Sequence, residues 1–407
     1  MNRKLLHTPE GVRDIYNSEC EKKIFLQDLL HDTIKKYGYH AIQTPTFEYF
    51  DIFSREIGTT PSKELYKFFD KEGETLVLRP DITPSVARCV AKYYMDEENP
   101  IRLSYMGNTF INQANYQGRL KETTQIGAEL INDDSVYADG EIIALVIECM
   151  LKSGLTEFQV SIGQVDFFKS ILNEAGIDEE TEYELRELIS NKNYFGIDEF
   201  AIEKNLKSEH QHVFQRLPEL FGSVDILDEA KKLTGNENAL KAIERLINVY
   251  KVVSYYGYEK YVSFDLGMLS KYKYYTGIII KAFTYGTGEP IVAGGRYNNL
   301  LGCFGKDAPS IGFVINIDQL MAALSRQKIN IQVLSKNALL LYKHNEIENA
   351  VKFSNKIRKE EDFCVSMLEI GDKSFDEYMD LAKENDIQKI FVVEGDKVNE
   401  IFNNSIN

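Results

Sequence analysis

Cysteine is scarce and unpatterned in this chain of 407 residues: five in all, Cys20, Cys89, Cys149, Cys303 and Cys364, widely separated and never spaced as C-x-x-C. An odd, scattered set excludes a disulfide framework and a zinc knuckle and fits a reducing compartment. Long apolar runs are missing too. The opening stretch MNRKLLHTPEGVRD meets charge and proline before it could build a signal core, and no later run approaches the roughly 18 apolar residues of a membrane span. A cytoplasmic chain with no membrane contact is expected. Positive charge is in deficit, with 47 Lys+Arg against 63 Asp+Glu and a net charge of −16, a field that repels phosphate backbones. Nucleic acid is therefore not expected as a partner. With only 9 prolines and 26 glycines, and no biased tract, disorder and fibrous repeats are excluded as well.

What is present is an ordinary globular composition, long enough for two or three domains at about 150 residues each. Asn17 to Tyr37 has helical spacing (Ile24, Phe25, Leu29, Leu30, Ile34) and breaks at Gly38; HAIQTPTFEYF then reads as extended. Phe68 to Leu78 alternates around a KEGE turn, and Ile82 to Tyr94 resumes helical periodicity. Ile101 to Phe110 and Thr124 to Ile131 flank a polar loop and predict two antiparallel strands, with Asp133, Asp134 and Ser135 available to cap the apolar helix that follows. From Phe158 the texture predicts a helical insertion, to about residue 255, before strand signals return at 261–266, 276–283 and 290–292. Beyond Ser325 strand and helix alternate, as expected of a small three-layer α/β domain over 331–407, which carries 10 Lys+Arg and 15 Asp+Glu. The expected class is α+β: a core over 1–325 interrupted by the helical insertion, then the small C-terminal domain.

Generic motifs yield little. His210 and His212 form an H-x-H pair, but positions two apart on a helix face different sides, so surface histidines are expected and no metal. GTGEP, AGGRYNNLLG and GCFG lack the strand–G-x-G-x-x-G–helix order and the G-x-x-x-x-G-K-[ST] string, and read as turns. No nucleophile elbow or H-E-x-x-H occurs. No cofactor is expected.

Longer strings carry more. YGYHAIQTPTFEYFDIFSREIG, LVLRPDITPSVAR, SYMGNTFINQANYQGRLKETTQIGAELI, KYKYYTGIIIKAF, AGGRYNNLL and SIGFVINIDQL, in this order over roughly residues 5 to 322, resemble the catalytic core of histidyl-tRNA synthetases. The resemblance implies a class II aminoacyl-tRNA synthetase-like antiparallel sheet flanked by helices, with residues 37–58 contributing to a homodimer interface. It also implies a histidine-reading set: Asp81 (where the family usually has Glu) and Thr83 after Leu-Arg-Pro, Gln125 and Glu129 of Q-x-G-x-E, and the pair Tyr274 and Tyr275. Such residues suit the ligand, since an ammonium needs carboxylate and amide acceptors and an imidazole needs a partner at each nitrogen.

The ATP half of the family pattern is gone. Phe-Arg-x-Glu is here Phe110, Ile111, Asn112, Gln113; the arginine opening Arg-Gly-Leu-Asp-Tyr-Tyr is Ser270; the arginine of Gly-Leu-Glu-Arg is Gln319. Those guanidiniums stabilise charge developing on phosphate, and removing one preorganised donor costs roughly 100 to 1000-fold. Lys271, Lys273, Lys121 and Arg119 are the nearby cations. A synthetase-like core without these arginines, followed by an acidic tail, resembles the regulatory subunits of ATP phosphoribosyltransferase, as do TPEGVRDIYNSE, FQVSIGQVDFFKSILNEAGI and LPELFG. That resemblance implies a non-catalytic chain of histidine biosynthesis, partnered with the short-form catalytic subunit in a hetero-octamer of four and four and carrying histidine feedback. An active or degenerate histidyl-tRNA synthetase is the alternative.

Overall fold

The computed structural model describes residues 6–53, 60–113, 119–269, 275–331, 333, 336–360, 363–385 and 387–403, apart from the side chains at 179 and 180. Two compact units divide the chain, residues 1–331 and 332–407.

The first unit opens with helix α1 (Asn17–Lys36), which ends where Gly38 turns left-handed at φ +83°. Short strands β1 (His40–Ala41), β2 (Phe47–Tyr49), β3 (Lys67–Phe69) and β4 (Thr75–Leu78) precede helix α2 (Thr83–Tyr93). The long pair β5 (Ile101–Phe110) and β6 (Glu122–Ile131) then leads into α3 (Val136–Lys152), whose N-cap Ser135 accepts a hydrogen bond from the Ala138 N–H. The sequence texture places the start of a helical insertion at Phe158. Here the structure differs: β7 (Phe158–Gln164) is a strand of the main sheet, and the helices begin after it, with α4 (Val165–Ala175), α5 (Glu179–Ser190), α6 (Tyr194–Glu203) and α7 (Ser208–Arg216). A two-residue β8 (Phe221–Gly222), α8 (Ile226–Leu233) and α9 (Glu237–Tyr255) complete this region; β9 (Val262–Asp265), β10 (Ile278–Thr284), β11 (Val292–Arg296), β12 (Ser310–Asn316) and α10 (Ile317–Arg326) close the unit.

Nine strands form the main sheet in the order β1-β5-β6-β12-β11-β10-β7-β9-β8. Its centre is antiparallel, but β1 pairs parallel with β5 and β7 parallel with β9, so the sheet is mixed rather than purely antiparallel. Both parallel pairs arise where a long connection returns the chain in the same direction. The separate three-stranded sheet is β2-β4-β3. Alternation assigns the two faces of the main sheet. Ile126, Ala128 and Leu130 of β6 and Ile311, Phe313 and Ile315 of β12 join the core beneath α1, α3 and the insertion helices. Leu103 and Tyr105 of β5 face the other way, packing with Ile82 and Val86 of α2 and with Tyr297.

The second unit contains β13 (Asn337–Tyr342), α11 (Ile347–Glu360), β14 (Cys364–Glu369), α12 (Phe375–Glu384), β15 (Lys389–Glu394) and β16 (Lys397–Asn403). Its sheet order is β14-β13-β15-β16, parallel except for the last pair. Leu340 packs with α11 on one face and Leu341 with α12 on the other, which makes three layers. Ser374 and Glu377 cap α12 reciprocally.

Candidate functional site

On the α2 face of the main sheet lies a cavity of about 170 Å³. Its position follows from the pleat. Gln125 and Glu129 are odd-numbered residues of β6 and face away from the α3 core, as do Ala293 and Gly295 of β11 and Gly312 and Val314 of β12. Asp81 and Thr83 enter from the start of α2, where the Thr83 N–H donates to Asp81 Oδ1 at 3.2 Å and the positive end of the helix favours a carboxylate. Tyr275 and Tyr297 close another side, and Ile111 lies where β5 ends.

Glu129 is the centre of the polar network. The Thr83 hydroxyl donates to Oε1 at 2.8 Å, Tyr105 to the same oxygen at 3.1 Å, and Tyr297 to Oε2 at 2.5 Å. All three donors are neutral. Burial therefore dominates and pushes the carboxyl up to about 7; the hydroxyls oppose the shift, while the nearby Asp81 charge adds to it. Gly312 makes room for this group: a β-carbon there would stand 1.5 Å from Oε2. Gly295, with φ +152°, likewise has no space for a side chain, since its β-carbon would meet the Ile278 carbonyl at 2.3 Å. AGGR is thus strand rather than turn; its glycines serve close packing of three strands and the cavity wall.

The side-chain oxygen of Gln125 is buried and has no hydrogen-bond donor. Such an orphaned acceptor is costly unless something supplies a donor. Among the described lining residues there are two carboxylates, Asp81 and Glu129, and no lysine or arginine. The cavity is therefore complementary to a small ligand that brings N–H groups and positive charge, and repels polyphosphate.

Of the residues singled out from the sequence, Asp81, Thr83, Gln125, Glu129 and Tyr275 meet around this cavity. Tyr274 and Ser270, like Lys271 and Lys273, lie outside the described residues. Ile111 lines the cavity, whereas Gln113 does not: its Nε2 donates at 3.4 Å to the Leu120 carbonyl. Gln319 sits in the first turn of α10, its N–H held by Asn316 Oδ1 at 3.0 Å. Arg119 pairs with the exposed Glu289. His210 corrects the surface assignment: it is buried in α7, with Nε2 lacking a hydrogen bond and Glu174 and Glu209 each 4.0 Å away, whereas His212 is exposed.

Tyr105 and Tyr297 were not among the sequence candidates. A tyrosine within β5 or just past β11 carries no mark of polar duty in the sequence, and only its position in the fold reveals it. A charged clamp behind the sheet was equally hidden. Arg296, 2% exposed, donates from Nε to Asp139 Oδ1 at 2.9 Å, and Arg245 of α9 donates from Nε to Asp139 Oδ2 at 2.7 Å. Asp134 lies within 3.3 Å of both guanidiniums. Burial raises the Asp139 carboxyl, opposed by the two arginines.

A mixed sheet with a pocket of this composition, backed by α3 and interrupted by an insertion, defines a class II aminoacyl-tRNA synthetase-like core. The histidyl-tRNA synthetase family model matches residues 11–320. A histidyl-tRNA synthetase structure from Nostoc superposes with a TM-score of 0.80 over 97% of this chain and 96% of its own, at 19% identity, which shows the shared fold. A solved structure from Bacillus halodurans, described as an ATP phosphoribosyltransferase regulatory subunit/histidyl-tRNA synthetase, gives 0.84 at 30% identity over 96% of this chain and 99% of that one. An ATP phosphoribosyltransferase regulatory subunit from Acetivibrio thermocellus is 39% identical, covering 87% of this chain and 85% of the relative. One from Clostridium novyi is 34% identical over 100% and 96%. The chain belongs to the ATP phosphoribosyltransferase regulatory subunit family.

Proposed function

We propose that this chain is a non-catalytic regulatory subunit that activates a short-form ATP phosphoribosyltransferase catalytic chain, assembles with it as four and four, and carries histidine feedback through the cavity around Glu129. The observation that carries the reading is the cavity wall: two carboxylates and an unpaired amide oxygen with no cation among the described lining residues. Free histidine brings an ammonium and an imidazole N–H, donors that the carboxylates and the Gln125 oxygen can accept. ATP brings the charge the wall repels.

Two further features support the reading. Ile111 and Gln319 stand where synthetases use arginine, and each lost charge donor costs roughly 100 to 1000-fold in rate. The three-stranded sheet leaves Phe47, Tyr49 and Phe68 exposed, with Phe47 and Phe68 edge to face at 5.8 Å. An exposed aromatic patch of this kind suits a two-fold homodimer.

The test is calorimetry and assay on one preparation. Histidine is expected to bind at micromolar to millimolar affinity, weakened by Glu129→Ala. Addition of the chain to a short-form catalytic subunit is expected to raise activity in a histidine-inhibited manner. Histidine-dependent ATP–pyrophosphate exchange by the isolated chain would instead make it a synthetase.

A further inference from the structure

The helical insertion carries an apolar surface that the pocket does not use. Helices α5 and α6 already have a buried side: Leu185, Ile189, Ile197 and Phe200 pack inward. Their outside also carries exposed apolar side chains set among acidic ones. Phe195 and Ile202, seven residues apart and so on one face of α6, are each 72% exposed, and Tyr183 on α5 is 66% exposed. Along α5 and the turn that leads into α6 a groove of about 340 Å³ is lined by Tyr183, Glu184, Glu187, Leu188, Asn191 and Asn193. Asn193 caps α6, so the groove ends at the first turn of that helix, where Tyr194 and Phe195 are exposed. The inward side already anchors both helices, so Tyr183, Phe195 and Ile202 are not needed to fold them and stay in water beside the groove and the exposed acid Glu199.

Charge decides what fits there. Positions 179 to 203 carry eight Asp and Glu against two Lys and Arg, and one of those two, Arg186, is paired with Glu182. Two-fold pairing of this surface with itself would set acid against acid. The exposed aromatic face of the three-stranded sheet is the surface proposed above for the homodimer.

The geometry points to the outer face of α5 and α6 as the docking surface for a different chain, one that presents an amphipathic segment with aliphatic side chains flanked by Lys and Arg. This rests on the regulatory-subunit reading, under which that chain is the short-form catalytic subunit. Aromatics in such a groove act as anchors, and the acidic rim steers and orients.

The experiment is sedimentation velocity with fluorescence titration, mixing the full chain with a purified short-form catalytic subunit. Wild type is expected to form a complex that weakens between low salt and roughly 1 M salt, where charges are screened within about 3 Å. Phe195→Glu and Ile202→Glu are each expected to weaken the complex at least tenfold. The pair Glu184→Lys with Glu187→Lys is expected to weaken it and flatten its salt dependence. All these sites are on the surface, so the variants should keep the wild-type circular dichroism and histidine affinity. A wild-type complex that tolerates all of these substitutions overturns the docking surface and leaves the regulatory reading standing. Absence of any complex with the wild-type chain overturns both.

Discussion

Gly312 and Glu129 occupy one space: the carboxylate oxygen lies where the β-carbon of any other residue at 312 would be, 1.5 Å from its ideal position. The two residues are opposite each other in the register of β12 and β6. The pocket therefore depends on a missing atom in one strand as much as on a charged group in its neighbour.

Gly312→Ala is expected to displace the Glu129 side chain and break its bonds with Thr83, Tyr105 and Tyr297. Overpacking of this kind costs about 1–3 kcal/mol. Urea denaturation measures that loss and calorimetry should show histidine binding abolished. An unchanged midpoint together with unchanged binding would refute the packing argument.

Glu129 also ties stability to pH. Its carboxyl titrates near 7 in the folded chain and near 4.5 when unfolded, so between those values only the folded state holds the proton. Stability from this group is complete below 4.5 and is lost as pH rises through 7. The stability of wild type relative to Glu129→Gln is expected to fall by about 3 kcal/mol across that window and level off above it. Urea midpoints at intervals of pH check the sign; a rise with pH would contradict it.

Asp139→Ala removes the buried carboxylate held between Arg296 and Arg245, leaving them only the half-exposed Asp134 and backbone carbonyls. A loss of about 3–5 kcal/mol is expected. Asp139→Asn, which keeps an acceptor, should lose less. Both are read from urea midpoints, and equal losses would show that a neutral acceptor of the same shape contributes nothing and that the charge alone matters at this position.

Phe47→Asp places a charge on the exposed face of the three-stranded sheet. Sedimentation should report a monomer where wild type is a dimer, with the fold unchanged by circular dichroism. A dimer that survives would assign self-association to another surface.

Most of this architecture was legible where periodicity is long or turn residues are unambiguous. The helix from Asn17 and its stop at Gly38, the pair β5 and β6, the Ser135 cap and the alternation after Ser325 all follow from local chemistry. Misreadings fell where tertiary packing overrides local signal. AGGR looks like a turn because Gly294 and Gly295 are adjacent, yet both lie in a strand that neighbours approach too closely for side chains. Phe158–Gln164 looks like the lead-in to a helix because its strand character depends on pairing with β10, more than a hundred residues away. Within the site, Asp81, Thr83, Gln125, Glu129 and Tyr275 were found through the order of motifs. Tyr105, Tyr297 and Asp139 were not, because nothing local separates a tyrosine or aspartate with a buried partner from one that merely fills space or caps a helix.

Arg296 and Tyr297 are consecutive, yet one serves the clamp to α3 and the other the Glu129 carboxylate on the opposite face. Any slip of β11 by one position would send the guanidinium toward the pocket and the phenol toward Asp139, breaking both networks together. The strand thus proofreads its own alignment during folding. An insertion or deletion of one residue between Val292 and Tyr297 would be far more damaging than most substitutions there, whereas a two-residue change would at least restore the facing of every side chain.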